Sequence, residues 1–551
     1  MNNKRSGVSG AGRPRADEDV RPTLFVALLL IAALPCTAGD FFNSYFTWRT
    51  GKSQVSVREV DGIEQHISDG KLRLHLHDFL ELVLKNSADI QISGMDVYTA
   101  ANRVTGAKAP FDPSLALGFT TARSLTPPFY YSQDTINNLS QQSNIVYNEL
   151  LPTGQTVSTN FGVTRFSGAS YTAPALFGNL SFSVTQPLLR NRKNIEYRAP
   201  ITIARSQLNV TSELSEAAIG VSVADAARQY WLAILARDSI KVQEQTLALA
   251  QKSNERDQKA LDLGAIAKLD IYQSETQVAE RTRDLIQARY QYTAALDGLR
   301  RLMGADVTAV VRSTEIVLED DAAPAPLKSE ILPFEEALAK AMQARPEMKA
   351  ASERISIDDL NARVSRESFL PKVDLTLNGG SSGPSANFGA RGTVYPGLSD
   401  TLRQVLSFNY PSYGLGLQMT IPFRNSTGQA NLADALVSKT RNAYQQRQTQ
   451  EQIILEVRQA INAIELAKAT IDAAIRARDL AKKNVDAEQQ KYELGTITAF
   501  ELLDSQSRLA ATENALLSAY VTYQQAYVSY QRATWTLLDG LGIVVERPKV
   551  K

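Results

Sequence analysis

Few side chains in this 551-residue sequence carry reactive chemistry. It has three histidines and one cysteine. His75 and His77 form an H-x-H with the spacing of two metal ligands, but no further ligand cluster is near in the sequence. They read as a polar position ahead of the first helix, and no metal or other cofactor is expected. The Gly-rich stretch at 378–392 lacks the lysine and following helix of a phosphate loop, and reads as an external loop. Ser, His and Asp form no nucleophile motif, so an enzyme is not expected. Basic and acidic residues balance at 59 against 58, which advertises no surface for nucleic acid.

Asp270, Glu501 and Asp504 each follow closely on a Leu-Gly pair, Leu263-Gly264 or Leu494-Gly495. Thr498 followed by Glu501 is a capping box, in which hydroxyl and carboxylate satisfy orphan amides at a helix start. An acid in a first turn also suits the helix dipole. Asp504 lies too deep in the helix to be the box partner. With Leu502 at heptad position a, Glu501 is g and Asp504 is c, on a flank away from the packed seam and free to face an aqueous space.

These positions rest on a duplicated framework. Phe111-Asp112-Pro113-Ser114-Leu115 recurs as Phe369-Leu370-Pro371-Lys372-Val373, 258 residues on. Gln186-Pro187-Leu188 matches Ile421-Pro422-Phe423 at 235, so the first copy holds 23 extra residues. "LGAIAKLDIYQSE" from Leu263 matches "LGTITAFELLDSQ" from Leu494. Each copy reads as a short helix (about 78–108 and 334–368), a β segment (about 111–187 and 371–422), a long helix (about 200–263 and 427–494), a Gly-marked turn and a returning helix (about 269–303 and 500–538). The repeats span 71–303 and 334–542, joined by a linker at 304–333 with an Ala-Pro-Ala-Pro run. An N-terminal extension occupies 39–70 and a tail 543–551.

Leu502, Leu509, Leu516, Tyr523 and Tyr530 stand seven apart, and small residues (Ser505, Thr512, Ala519, Ala526, Ala533) follow each by three. Ile271, Val278, Leu285, Tyr292 and Leu299 repeat this in the first copy. Large facing small at period 3.5 is knobs-into-holes packing. Ile454, Val457, Ile461, Ile464, Ile471 and Ile475 supply a partner stripe. A helix of about 65 residues is roughly 100 Å long, a length for a rod or a tube wall.

The β segments alternate with period two. Leu115, Leu117 and Phe119, then Phe182 and Val184, then Val373, Leu375 and Leu377, then Leu415, Leu417 and Met419 are separated by small or polar residues. Runs of about ten residues with this pattern suit transmembrane strands, and aromatics at 129–131, 395, 408, 410 and 413 suit an interfacial girdle. A soluble sheet can carry the same pattern, but four such strands cannot close a barrel and an open edge cannot face lipid, so if the sheet spans a membrane several chains must share one barrel. The insert from Asn144 can form another hairpin about Pro152-Thr153-Gly154, so either four or six strands per chain remain open.

The N-terminus reads as an export signal over 1–38. Arg13, Arg15 and Arg21 precede an apolar run at 24–34, too short for a bilayer, which needs roughly 20 residues. Cleavage after Ala38 is expected, leaving no cysteine. Pro35 and Ala33 beside Cys36 depart from a lipobox and weigh against lipidation.

The paired "FDPSLAL" and "FLPKVDL", the "TQPLLR" and "TIPFRN" that leave each β segment, and the paired Gly264 and Gly495 turns resemble the TolC-like outer membrane efflux protein family over about 72–542. The resemblance implies an α+β membrane protein: a homotrimer with a 12-stranded β-barrel in the lipid of the outer membrane and a helical periplasmic barrel. It implies an exit duct for efflux or type I secretion, completed by a periplasmic adaptor (membrane fusion) protein and an inner-membrane pump of RND or ABC type. It places a periplasmic gate at Glu501, Asp504 and Asp270, whose crowded copies would repel and favour cations. Tyr492 matches a tyrosine that ties neighbouring coils when closed, but Ile497 stands where the family has its partnering arginine. The tips at Leu263, Gly264, Leu494 and Gly495 are the expected adaptor contact. The competing reading is a secreted periplasmic coiled-coil adaptor or structural protein.

Overall fold

The computed structural model describes residues 56–57, 59–127, 136–168, 175–264, 268–307, 312, 314–323, 331–384, 387–389, 392–394, 397–494 and 496–540. The chain divides into two compact units, Met1–Glu59 and Val60–Lys551, and the elements below belong to the second. The expected signal segment, the aromatics at 129–131 and Tyr395, and Gly495 lie outside the described residues.

The first helical segment is two helices, α1 (Leu76–Asn86) and α2 (Ala88–Gly106), and not the single helix expected. The break is Ser87, extended at φ −63°, ψ 124°. Four antiparallel strands follow: β3 (Ser114–Thr126), β4 (Ile136–Leu150), β5 (Thr156–Gly168) and β6 (Ala175–Pro187). They come after a short pair nearer the start, β1 (Ile67–Ser68) and β2 (Lys71–Leu74). Then come the long helix α3 (Ile195–Asp262), its return α4 (Lys268–Met303), and β7 (Glu315–Leu318). β7 lies within the expected linker and pairs in parallel with β2.

The second half begins with α5 (Phe334–Ala344) and α6 (Pro346–Glu367), again two helices. Pro346 disfavours helical backbone at the residue before it, and Arg345 takes φ −64°, ψ 125°, the geometry of Ser87. Next are β8 (Lys372–Pro384), β9 (Asn387–Gly389), β10 (Gly392–Val394), the short helix α7 (Leu398–Leu406) and β11 (Pro411–Thr420). The Gly-rich stretch expected to be loop is therefore strand over its first part. The Phe182 ring lies across Gly379, where any β-carbon would collide with it. The long helix α8 (Ser426–Glu493) and its return α9 (Ala499–Ala533) complete the pattern. The return stops at 533, short of the expected 538: Trp535 adopts left-handed backbone (φ 57°), and α10 (Leu537–Gly540) follows.

The large sheet has six strands, in the order β11-β8-β6-β5-β4-β3, with every neighbouring pair antiparallel. A trimer closing at twelve strands needs four per chain. Among the described residues the sheet has six, with β4 and β5 standing between β6 and β3. One face carries Leu117, Ile145, Phe182, Leu377 and Leu415, all exposed. The other carries Asn, Gln, Ser, Thr and Gly. α7 crosses the first face where Gly178 and Gly383 leave room for Thr401 and Val405.

The coils pack as their heptads require. Leu502, Leu516, Tyr523 and Tyr530 are buried with Ser505, Ala519, Ala526 and Ala533. Val457, Ile464 and Ile471 face them, and Ile453, not its neighbour Ile454, completes the stripe. A second core joins α1, β2, β7, α3 and α4 around Phe79, Tyr230, Leu74, Ile234 and Leu299. Among the described residues no helix is long and apolar enough to cross a membrane.

Candidate functional site

Both long helices have 68 residues and end on a leucine with the same backbone, Leu263 at φ −84°, ψ −2° and Leu494 at φ −84°, ψ −1°. Gly264 follows in left-handed backbone (φ 73°), a conformation that costs other residues about 1–2 kcal/mol. Its amide donates to Leu261 O at 2.9 Å and closes the helix end. The two leucines are left in the open, 85% and 79% exposed.

Tyr492 lies in the last turn of α8, on the side of α3. Its hydroxyl donates to Asp257 Oδ1 at 2.8 Å, and the Arg256 guanidinium sits 5.0 Å over its ring. Asp257 is only 2% exposed, and among the described residues its second oxygen has no hydrogen-bond partner. A buried carboxylate is costly unless paired, so this contact matters to how the two tips hold together. Asp257 was not singled out from the sequence. It does continue the buried α3 stripe of Val242, Thr246, Ala250 and Ser253 at spacings of three and four. A charge on a core stripe is the signal that was available.

The start of α9 is the capping box. Thr498 N donates to Glu501 Oε2 at 3.0 Å, and Glu501 N donates to Thr498 Oγ1 at 3.4 Å. Glu501 remains exposed. Asp504 is half-exposed and not free: Arg508 Nε donates to its Oδ2 at 2.9 Å. Asp270 lies in the first turn of α4, and its side chain is outside the described residues. The structure thus joins Tyr492 to α3 and gives Glu501 and Asp504 local partners.

The seam at this end is unusually polar. Thr246, Ser253 and Asp257 on α3, Ser274 on α4, and Ser505 and Gln506 on α9 are all buried. Farther from the tips, the same helices bury Val223, Ile234, Leu516 and Val521. Ile271, Leu502 and Leu503 are also buried near the tips, so the seam at this end mixes apolar and polar groups.

Long paired coils joined to an antiparallel sheet with one apolar and one polar face define the class of fold. The profile of the outer membrane efflux protein family matches residues 175–305 and 337–534, more than half of the chain. The chain belongs to that family. Protein CyaE of Bordetella pertussis (strain Tohama I) is 26% identical over 325 residues, 58% of this chain and 64% of that protein. The match thus spans just under two thirds of that relative's length. Among solved structures, the Campylobacter jejuni CmeC outer membrane channel superposes with a TM-score of 0.58 at 15% identity, covering 91% of each chain. CusC superposes at 0.60 with 18% identity, over 87% of this chain and 95% of that one. The open state of the Neisseria gonorrhoeae MtrE outer membrane channel superposes at 0.57 with 16% identity, over 88% and 99%. These likenesses establish the fold.

Proposed function

We propose that this chain is one subunit of a passive exit duct in the outer membrane. Three copies close their sheets into one barrel, and their coils continue it as a helical barrel in the periplasm. The duct serves efflux or type I secretion. A periplasmic adaptor meets the tips at Leu263, Gly264, Leu494 and Gly495, and an inner-membrane pump supplies the energy. The observation that carries this reading is the two-faced sheet with uncapped outer strands, joined to coils about 100 Å long. A soluble adaptor or rod has no use for an exposed apolar sheet face.

The two halves act as copies of one unit. Equal 68-residue long helices and the matching breaks at Ser87 and Arg345, 258 residues apart, support this. The gate lies at the coil tips, where polar groups enter the seam and Glu501, Asp504 and Asp270 follow the turns. Tyr492 holds it closed through Asp257, with no arginine needed at Ile497. Opening follows when an adaptor binds the splayed tips better than the closed ones.

Fractionation tests the reading. A detergent-extracted, heat-modifiable trimer from the outer membrane is the expected result. A soluble monomer in the periplasm would overturn it.

A further inference from the structure

The strands β4 and β5 are built as part of the sheet and not as an appendage to it. β4 pairs with β3 along its full length, and β5 pairs with β6. Their alternation continues that of their neighbours. Ile145, Tyr147, Phe161 and Val163 share the face of Leu117 and Leu180, while Gln142, Asn144 and Asn160 share the face of Gly118 and Ser181. On this second face, Ser158 Oγ donates to Asn148 Oδ1 at 2.7 Å, and Ser183 Oγ to Asn378 Oδ1 at 2.8 Å.

The turn between β4 and β5 is fastened at the junction with the coils. Asn194, fully buried and in left-handed backbone, stands immediately before α3. Its Nδ2 donates to Leu151 O and Pro152 O, each at 3.3 Å. Gly154 (φ 93°) brings the turn against the Asn194 side chain. The hairpin therefore runs the whole height of the sheet and ends where the other strands end.

Within one chain, β3 and β11 are the outer strands. Six strands alternate in direction, so β11 of one copy and β3 of the next meet antiparallel when the sheets stand side by side. Lipid cannot satisfy the unpaired amides and carbonyls of an open edge. A second copy of this chain can, and it presents the complementary edge.

Resting on the trimeric duct proposed above, we infer that each subunit supplies a six-stranded stave, sealed β3 to β11 between copies, so the barrel closes at eighteen strands. Barrel diameter grows roughly linearly with strand number, so this exit is about one and a half times as wide as a twelve-stranded one. Its lining is mostly amide and hydroxyl, and Lys372 and Asp374 on the same face neutralise each other at 3.1 Å. Such a passage admits bulky, hydrated, polar cargo.

Two measurements on the full chain test this. Electron cryo-microscopy of the extracted oligomer should count eighteen strands with β3–β11 seams. A twelve-stranded trimer with β4 and β5 outside the wall overturns the inference and leaves the duct standing; failure to form any membrane ring overturns the duct itself. Arginine substitution reads the faces separately. Ile145→Arg and Phe161→Arg, facing lipid, should lower assembled oligomer in the outer membrane on the order of tenfold. Gln142→Arg, one strand face away, should assemble normally and shift single-channel selectivity toward anions. Normal assembly of the first two, or loss of assembly or unchanged selectivity in the third, overturns the stave.

Discussion

Tyr492 Oη donates a 2.8 Å hydrogen bond to the buried carboxylate of Asp257, tying the end of α8 to the end of α3. A hydrogen bond to a charged group contributes about 1.5–3 kcal/mol. Tyr492→Phe should therefore shift the closed-to-open balance by roughly 10- to 100-fold toward open, because each 1.4 kcal/mol is tenfold. Single-channel recording reads this as longer and more frequent openings. Asp257→Asn should act in the same direction, and the double variant should add little, since both remove one contact. If both single variants stay closed as the parent does, the contact plays no part in gating.

Glu501 has two roles that substitution can separate. Glu501→Gln keeps an oxygen for the Thr498 amide and removes the charge, so stability should hold while cation selectivity falls. Thr498→Ala removes the cap and should cost about 1 kcal/mol at the helix start, with selectivity intact. Arg508→Ala should strengthen cation selectivity, because it frees Asp504 from the Arg508 guanidinium. Reversal potentials in a salt gradient measure all three. Selectivity that ignores Glu501→Gln and Arg508→Ala alike would return these acids to an outer surface.

Much of this arrangement was legible from periodicity. Burial of Leu502, Leu516 and Tyr523 against small residues follows directly from a seven-residue repeat, and the Thr498–Glu501 box from its spacing. The outer strands follow from alternation. What was hidden depended on partners distant in the chain. Nothing local marks Asp257 as the acceptor for Tyr492, 235 residues away. The break at Arg345 was signalled by Pro346, whereas Ser87 adopts the same backbone with no proline to announce it. The strand status of 379–383 was masked by glycines, which local propensity disfavours in strands, although the Phe182 ring requires Gly379 and the approach of α7 requires Gly383.

Asn194 fixes the β4–β5 turn through side chain and backbone together. Asn194→Gly keeps the left-handed backbone and loses both bonds to the turn. Asn194→Ala loses the bonds and adds strain of about 1–2 kcal/mol. The alanine variant should thus be the less stable by that amount, and both should expose residues 150–156 to faster amide exchange. Equal exchange in parent and variants would mean the turn is held by its strands alone.

Arg345 anchors the corner between α5 and α6. Its side chain is 3% exposed, with two bonds to Glu347 (2.8 and 3.2 Å) and one to Glu456 (2.6 Å). Arg345→Ala leaves two carboxylates sharing a closed site, and removal of one member of such a pair costs about 3–5 kcal/mol when fully buried. Both glutamates keep some solvent contact, so the lower end is expected. Arg345→Lys cannot reproduce the planar fork and should recover only part of the loss. The dissociation temperature of the extracted oligomer measures this, and an unchanged value for Arg345→Ala would show the corner held by its apolar neighbours.

His75 gives the junction of β2 and β7 a dependence on pH. Its Nδ1 lies 3.1 Å from Asp320 Oδ1, and its Nε2 lies 3.0 Å from Glu319 Oε2. The Asp320 hydrogen bond raises the His75 pKa above its ordinary value; desolvation opposes this, and the charges of Asp320, Glu319 and Asp78 add to it. Protonated His75 donates to both carboxylates. A folded-state pKa above the unfolded one means the added stability is fully present below the unfolded pKa, about 6.5, and is lost as pH rises through the folded value. The gain is modest, because the imidazole is about half-exposed and solvent screens it. Asp320 keeps its other partners throughout: Leu76 N and Tyr230 Oη each donate to Oδ2 at 2.7 Å. Burial drives the Tyr230 pKa upward, so its hydroxyl stays protonated across this range. Amide exchange at residues 71–76 and 315–320 should therefore be slower at pH 5.5 than at pH 8.5, beyond the intrinsic chemical effect, and His75→Gln should abolish the difference. A pH response that survives His75→Gln would assign it to another group.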